Sequence, residues 1–92
     1  MTEDTDAVPV WLVERTYSDD EQNLIILVYA TTDGERYLRK ERALTSFSDV
    51  RDTTAGLLAD PENLGWTSEE DRERYASEAQ RMAEEHELDD VI

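Results

Sequence analysis

Residues 23–43 read NLIILVYATTDGERYLRKERA, and they contain two strand-like runs separated by a turn signal. The first run is apolar and rich in β-branched residues, which is typical of a strand. Asp33-Gly34 then favours a two-residue type I′ turn, because both central positions of that turn need a positive φ. With Asp33-Gly34 as the loop, Thr32 faces Glu35 and the two strands pair in one register. Its pairs are Ala30 with Tyr37, Tyr29 with Leu38, Leu27 with Lys40, and Ile25 with Arg42.

A further strand precedes this hairpin. Residues 8–17 are rich in β-branched and aromatic side chains, and the polar residues 18–22 separate them from the next strand. Consecutive strands joined by short connections usually lie side by side. The first half therefore predicts a three-stranded antiparallel meander of order 1-2-3, with the second strand in the centre.

The second half of the chain has a helical period. Ser46 followed by Asp49 resembles a capping box, and a helical stripe continues from there to Asp60-Pro61. Thr67 with Glu70 forms a second such box, which predicts a helix over residues 68–87. The inward stripes would be Phe47, Val50, Thr54, Leu57 and Leu58 in the first helix, and Tyr75, Ala79, Met82, Ala83 and His86 in the second.

These elements predict an α+β fold in which both helices pack on one face of the three-stranded sheet. Residues 1–7 are polar and acidic and are expected to form a disordered tail. Residues 8–88 then form one domain, and residues 89–92 form a frayed C-terminus.

The composition excludes several classes of site. The chain has 92 residues with 24 acidic and nine basic side chains, a net charge of −15, no Cys and one His. Thiol chemistry and disulfides are therefore impossible, and three scattered glycines cannot form a phosphate-binding loop. His86, Asp89 and Asp90 have the spacing of one helix face, but so acidic a segment is interpreted as solvated charge. We expect no catalytic residue, no cofactor and no metal.

The charge pattern resembles that of the small, acidic, uncharacterised proteins of haloarchaea. Eight of the nine bases are Arg, and Lys40 is the one Lys. The resemblance covers the composition of the whole chain and no functional motif. It implies a cytoplasm rich in salt, and the longest apolar run is far too short to span a membrane.

The third strand carries the most informative charge. Residues 35–44 contain four bases and two acids, whereas the other 82 residues sum to −17. The period of two places Val8, Val10, Leu12, Leu24, Ile26, Val28, Ala30, Tyr37 and Ala43 on one sheet face, which we assign to the helices. The opposite face would combine aromatic, aliphatic and cationic groups, and we predict it as the interaction face: Trp11, Val13, Arg15, Tyr29, Leu38, Lys40 and Arg42, with Ile25 and Leu27 between them.

Three interpretations of this predicted interaction face remain open. The Lys and Arg stems could lie over the rings and close the face. The face could bind a partner protein or a second copy, as exposed apolar patches often do. Aromatic rings beside cations could also stack and neutralise a nucleic acid, although a strongly negative chain repels phosphate. The sequence therefore favours a non-enzymatic protein-interaction domain, with a nucleic-acid-associated regulator as the alternative.

Overall fold

The computed structural model describes residues 7–18, 24–43 and 53–92. These contain strands β1 (Val8–Ser18), β2 (Leu24–Ala30), β3 (Arg36–Ala43), β4 (Gly56–Ala59) and β5 (Gly65–Trp66), a 3₁₀ turn (Pro61–Asn63) and helix α1 (Glu69–Glu85). The strands form one antiparallel sheet of order β4-β1-β2-β3-β5. The α+β class and the central β1-β2-β3 meander are confirmed. The prediction of three strands and two helices is wrong, because the described residues form five strands and one α-helix.

The register of the β2–β3 hairpin is the predicted one. Ala30 lies opposite Tyr37, and Ile25 lies opposite Arg42. The turn is wider than predicted, because the Thr31 N–H donates to the Arg36 carbonyl at 3.1 Å and four residues lie between these two. Gly34 donates its N–H to the Thr31 carbonyl at 2.8 Å and has a φ of 74°. Extending the loop by one residue on each side leaves the register unchanged.

Helix α1 packs closely on this turn. A Cβ at Gly34 would lie 2.2 Å from the Arg72 carbonyl oxygen and 2.8 Å from the Ala76 nitrogen. The Gln80 side chain also donates to the Thr32 carbonyl at 2.9 Å. Glycine is therefore required at residue 34 for its positive φ and for the close approach of the helix.

A β-bulge in β1 changes which side chains share a face. Trp11 pairs with Ala30, and Leu12 pairs with Tyr29, but the next pair is Glu14 with Val28. Val13 is the extra residue, so the alternation of faces shifts by one position there. An alternation that looks continuous in the sequence is thus interrupted in the strand.

The helix lies on the face that carries Trp11, Val28 and Ala30. Glu14, the partner of Val28 in the sheet, forms a salt bridge with Arg74 of α1. Val28, Ala30 and Tyr37 therefore face the helix as predicted. The prediction for the first strand is wrong: Val8, Val10 and Leu12 lie on the face opposite the helix, together with Tyr29.

The segment before β5 is extended where a helix was predicted. Residues 56–59 pair with β1 from Trp11 back to Val8. A Cβ at Gly56 would lie 2.5 Å from Leu88 Cδ2 and 2.6 Å from the Val10 carbonyl oxygen, so close packing favours glycine here. Pairing with the open backbone edge of β1 outweighs a helical pattern that Gly56 already weakens. The remaining part of that predicted helix, including Phe47 and Val50, and the predicted tail up to residue 6 lie outside the described residues.

The predicted long helix is confirmed, but its N-cap lies one residue after the predicted Thr67. Ser68 is the N-cap, and its Oγ donates to Asp71 Oδ2 at 3.2 Å. Along the predicted inward stripe, Ala79 is buried and the other four residues are half-buried.

The C-terminus is paired, which corrects the prediction of a frayed end. The Ile92 N–H donates to the Thr53 carbonyl at 2.9 Å, and the Ala55 N–H donates to the Asp90 carbonyl at 2.7 Å. Residues 88–92 therefore pair with residues 53–56, with one isolated antiparallel bridge between Thr54 and Val91.

The hydrophobic core cluster is centred on the sheet face that carries Tyr29, and Met82 of α1 also packs against it. Arg36 donates from Nη2 to the carbonyls of Pro61 and Leu64, both at 3.1 Å, and this holds the β4–β5 connection across that face. The cluster itself consists of Val10, Leu12, Ile25, Leu27, Tyr29, Ala59 and Leu64.

Candidate interaction site at Tyr29

Five of the seven predicted interaction residues share one sheet face. Arg15 and Lys40 lie on either side of Leu27 in the register, and Arg42 lies opposite Ile25. Tyr29 lies opposite Leu38 on the same face. The five are therefore brought together as predicted: Arg15, Tyr29, Leu38, Lys40 and Arg42.

Trp11 and Val13 do not belong to this group. Trp11 pairs with Ala30 and with Gly56, on the face that α1 covers, and Val13 is the bulge residue. The prediction that Trp11 shares a sheet face with Arg15 is wrong, because the bulge reverses its side relative to Arg15. The continuous alternation of residues 10–15 contains no signal for such a bulge.

Tyr29 belongs to the buried core. Its exposed fraction is 3%. Burial raises the pKa of the Tyr29 phenol above its usual value, and the charges of Arg42 and Arg15 oppose this effect. The ring is therefore closed off from solvent, but its surroundings include two guanidinium groups.

A cleft of ≈ 260 Å³ opens above this buried ring. Arg42 is half-buried at the cleft, and its Nη2 donates to Thr53 Oγ1 at 3.4 Å. Lys40 is exposed at the same place. The cleft thus combines an apolar floor with cationic and hydroxyl groups, and its lining is Leu27, Tyr29, Lys40, Glu41, Arg42, Thr53, Thr54 and Leu57.

The sequence did not predict the side of this cleft that Thr53 and Thr54 form. The local pattern assigns Thr54 and Leu57 to a helical stripe, whereas Leu57 lies in β4, which pairs with β1, and Thr54 lies just before that strand. These residues reach Tyr29 through pairing between distant segments, for which the local pattern carries no signal.

The basic segment of β3 is divided between different roles. Lys40 and Arg42 line the cleft, while Arg39 forms an ion pair with Glu41 on the opposite face. Arg36 has a structural role, because it bonds two backbone carbonyls and lies over the Trp66 ring. The local positive charge at the cleft is therefore smaller than the sequence count of four bases indicates.

Within the described part of the chain, no group of three His, Asp or Glu side chains has the geometry of a metal site. His86 Nδ1 lies 3.7 Å from Asp90 Oδ2, and Asp89 does not join them. The described helices are also too short and too polar to cross a membrane.

Comparison with known proteins places the chain in a family. No curated protein and no solved structure matches the chain. A family model does match, over residues 4–92, which is nearly the whole chain. The chain therefore belongs to the family of unknown function DUF7967.

Proposed function

We propose that this chain is a non-enzymatic interaction domain, and that the Tyr29 cleft binds an acidic segment of a partner protein. The observation that carries the proposal is the grouping of Arg15, Lys40 and Arg42 on one sheet face of a chain whose net charge is −15. Lys40 and Arg42 lie two residues apart on β3, and Arg15 lies on the other side of Leu27 from Lys40, so the three positive charges repel one another. A carboxylate between them relieves that repulsion.

The chemistry of the cleft fits a carboxylate-bearing side chain. The guanidinium of Arg42 can donate two parallel hydrogen bonds to one carboxylate, and the ammonium of Lys40 adds a mobile positive charge. Leu27 and Leu57 supply apolar surface for the methylene groups of a bound Glu. These features favour an acidic peptide segment over a purely apolar ligand.

Salt determines whether such a partner can approach. The acidic surface repels an acidic partner over a long range when the salt concentration is low. At about 1 M salt the Debye length is about 3 Å, so only charges in direct contact with the partner still attract or repel it. We therefore propose that the domain works in a salt-rich cytoplasm, which also accounts for its acidic, lysine-poor composition.

A nucleic-acid partner would use the same cations, but the cleft itself offers no exposed ring for a base to stack on. Tyr29 is buried, Trp11 lies on the opposite face, and the exposed Tyr17 does not line the cleft. Single-stranded nucleic acids gain much of their affinity from stacking on aromatic side chains. A protein partner is therefore the better supported of the two functions.

The experiment measures binding of a fluorescent poly-glutamate peptide and of a fluorescent oligonucleotide, both in about 2 M KCl. We expect the peptide to bind, and Lys40→Glu to weaken its binding about tenfold or more. Arg39→Glu is the matched control, because it makes the same charge change on the opposite face of the same strand. Thermal unfolding confirms that both variants are folded.

Each other outcome contradicts the proposal in a distinct way. Equal losses of peptide affinity in the two variants mean that binding depends only on the total charge of the chain. Binding of the oligonucleotide without the peptide supports the nucleic-acid function. A dimer in sedimentation that Lys40→Glu dissociates makes a second copy the partner, and a monomer that binds neither probe overturns the proposal.

A further inference from the structure

The outer edge of β3 is paired over only part of its length. β5 lies against Arg36 and Tyr37, the first two residues of a strand that has eight. The chain leaves this edge at Leu64, whose side chain is buried in the core cluster. Among the described residues, no strand pairs with residues 38–43 on this side. Most of β3 therefore presents an open backbone edge.

The backbone groups of β3 alternate between its two edges. The Arg36 carbonyl accepts from the Thr31 N–H at 3.1 Å, on the side of β2. Successive residues of a strand in an antiparallel sheet turn their N–H and C=O groups to opposite edges. The even-numbered residues of β3 therefore bond to β2, whereas the N–H and C=O groups of Arg39 and Glu41 point to the open edge.

The side chains along this edge differ between the two sheet faces. Residues 38–43 carry three cations and one carboxylate. Arg39 and Glu41 form an ion pair on one face, while Lys40 and Arg42 lie on the other face without an acidic neighbour on β3. Charged side chains on an edge strand discourage pairing with apolar strands. This edge therefore favours a strand that places carboxylates on the face of Lys40 and Arg42.

A second copy of the chain fits this edge poorly. When two β3 strands pair antiparallel about a two-fold axis, the residue at the axis lies directly opposite its own copy. From residue 39 to residue 42, every residue that could occupy this place is charged. Like charges directly opposite each other destabilise a strand pair. A strand of different sequence is therefore the better occupant.

We propose that an extended acidic segment of the partner adds to residues 38–43 as a further antiparallel strand. Its backbone exchanges hydrogen bonds with Arg39 and Glu41, and these bonds supply affinity for any sequence. Its carboxylates, at every second residue, lie opposite Lys40 and Arg42 and supply the specificity. This inference rests on the proposed function, because it assigns the backbone conformation and the direction of the same acidic segment.

The test uses a fluorescent peptide of about eight residues in which Glu and Thr alternate, in about 2 M KCl. With its Glu residues opposite Lys40 and Arg42, the Thr nitrogens donate to β3 and the Glu nitrogens point away. We expect methylation of all Thr nitrogens to weaken binding about tenfold or more. Methylation of all Glu nitrogens is the matched control, and it should change the affinity by less than about twofold.

Amide hydrogen exchange reports the same contact on the side of the protein. In the free chain the N–H groups of Arg39 and Glu41 have no partner in the sheet, so they should exchange rapidly. Saturation with the unmethylated peptide should slow both about tenfold or more. The Lys40 N–H is the internal control, because it faces β2 in the free chain and in the complex.

The outcomes separate this inference from the proposed function. Equal affinities of the two methylated peptides, the reverse order of their affinities, or unchanged exchange at Arg39 and Glu41 would each overturn strand addition. The proposed function would survive these results if Lys40→Glu still weakens binding of the unmethylated peptide. If neither the alternating peptide nor poly-glutamate binds, both proposals are overturned.

Discussion

Arg36 lies over the indole ring of Trp66, with its Cζ 4.2 Å from the ring centroid, and it bonds two backbone carbonyls with one nitrogen. This side chain joins β3 to the connection before β5. Arg36→Ala leaves the carbonyls of Pro61 and Leu64 without their donor, so we expect a loss of about 2–3 kcal/mol in unfolding free energy. Urea denaturation measures this loss.

Arg39→Ala is the control for that variant. Arg39 is exposed and pairs with Glu41, and exposed ion pairs contribute roughly 0–1 kcal/mol. Equal destabilisation by the two substitutions would show that Arg36 does not hold the connection.

Trp11 is expected to stabilise the fold and to take no part in association. It is half-buried under α1, beside Gly56 and Leu88. Trp11→Ala should therefore lower the unfolding free energy by about 2–4 kcal/mol. Tyr17→Ala, on the same strand but 62% exposed, should have little effect. Sedimentation of the folded Trp11→Ala variant should give the same mass as the parent. A change in mass would show that Trp11 takes part in association.

Asp33 makes the stability of the turn dependent on pH. The hydroxyl of Thr31 donates to Asp33 Oδ1 at 2.6 Å and the Glu35 N–H donates to it at 2.9 Å, and these bonds lower the pKa of the carboxyl. A pKa lowered by folding adds stability above the unfolded pKa, and this stability is lost as the pH falls through the folded pKa. The difference in unfolding free energy between the parent and Asp33→Asn should therefore be largest above about pH 5 and should shrink towards about pH 2. A difference that does not change with pH would contradict this role.

Salt is expected to stabilise the domain. Raising KCl from about 0.05 M to about 2 M should remove about 1–2 kcal/mol of net repulsion, which is roughly 5–10 °C in Tm for a domain of this size. Helix α1, with seven acidic and three basic side chains, should gain the most amide protection. A double variant, Glu73→Gln with Glu84→Gln, should show a smaller rise in Tm than the parent. A Tm that stays constant with salt would contradict the assignment of the acidity to high salt.

The sequence predicted those parts of the fold that depend on neighbouring residues. The β2–β3 register follows from the position of the turn, and it survives the wider loop because Ala30 still lies opposite Tyr37. Helix α1 follows from a local stripe and a capping signal next to Ser68. The net charge and the absence of cysteine need no structure at all.

The candidate site could be predicted only in part, because only some of its residues are close together in the sequence. Lys40 and Arg42 line a cleft with Tyr29 because all three belong to one hairpin. Thr53 and Leu57 complete the cleft from a segment that pairs with β1, more than 30 residues earlier in the chain. The helical pattern that includes Thr54 and Leu57 is misleading because it carries no information about the open edge of a distant strand.

Local chemistry therefore accounts for the hairpin, the long helix and the acidic surface of this protein. Packing between distant segments accounts for the rest: the bulge at Val13 sets the side on which Trp11 lies, and backbone hydrogen bonds join residues 53–56 to β1 and to the C-terminus. A bulge and an edge pairing both depend on backbone groups, which all residues except proline carry alike. For that reason the side-chain pattern could not reveal them, and the Tyr29 cleft forms only once β4 pairs with β1.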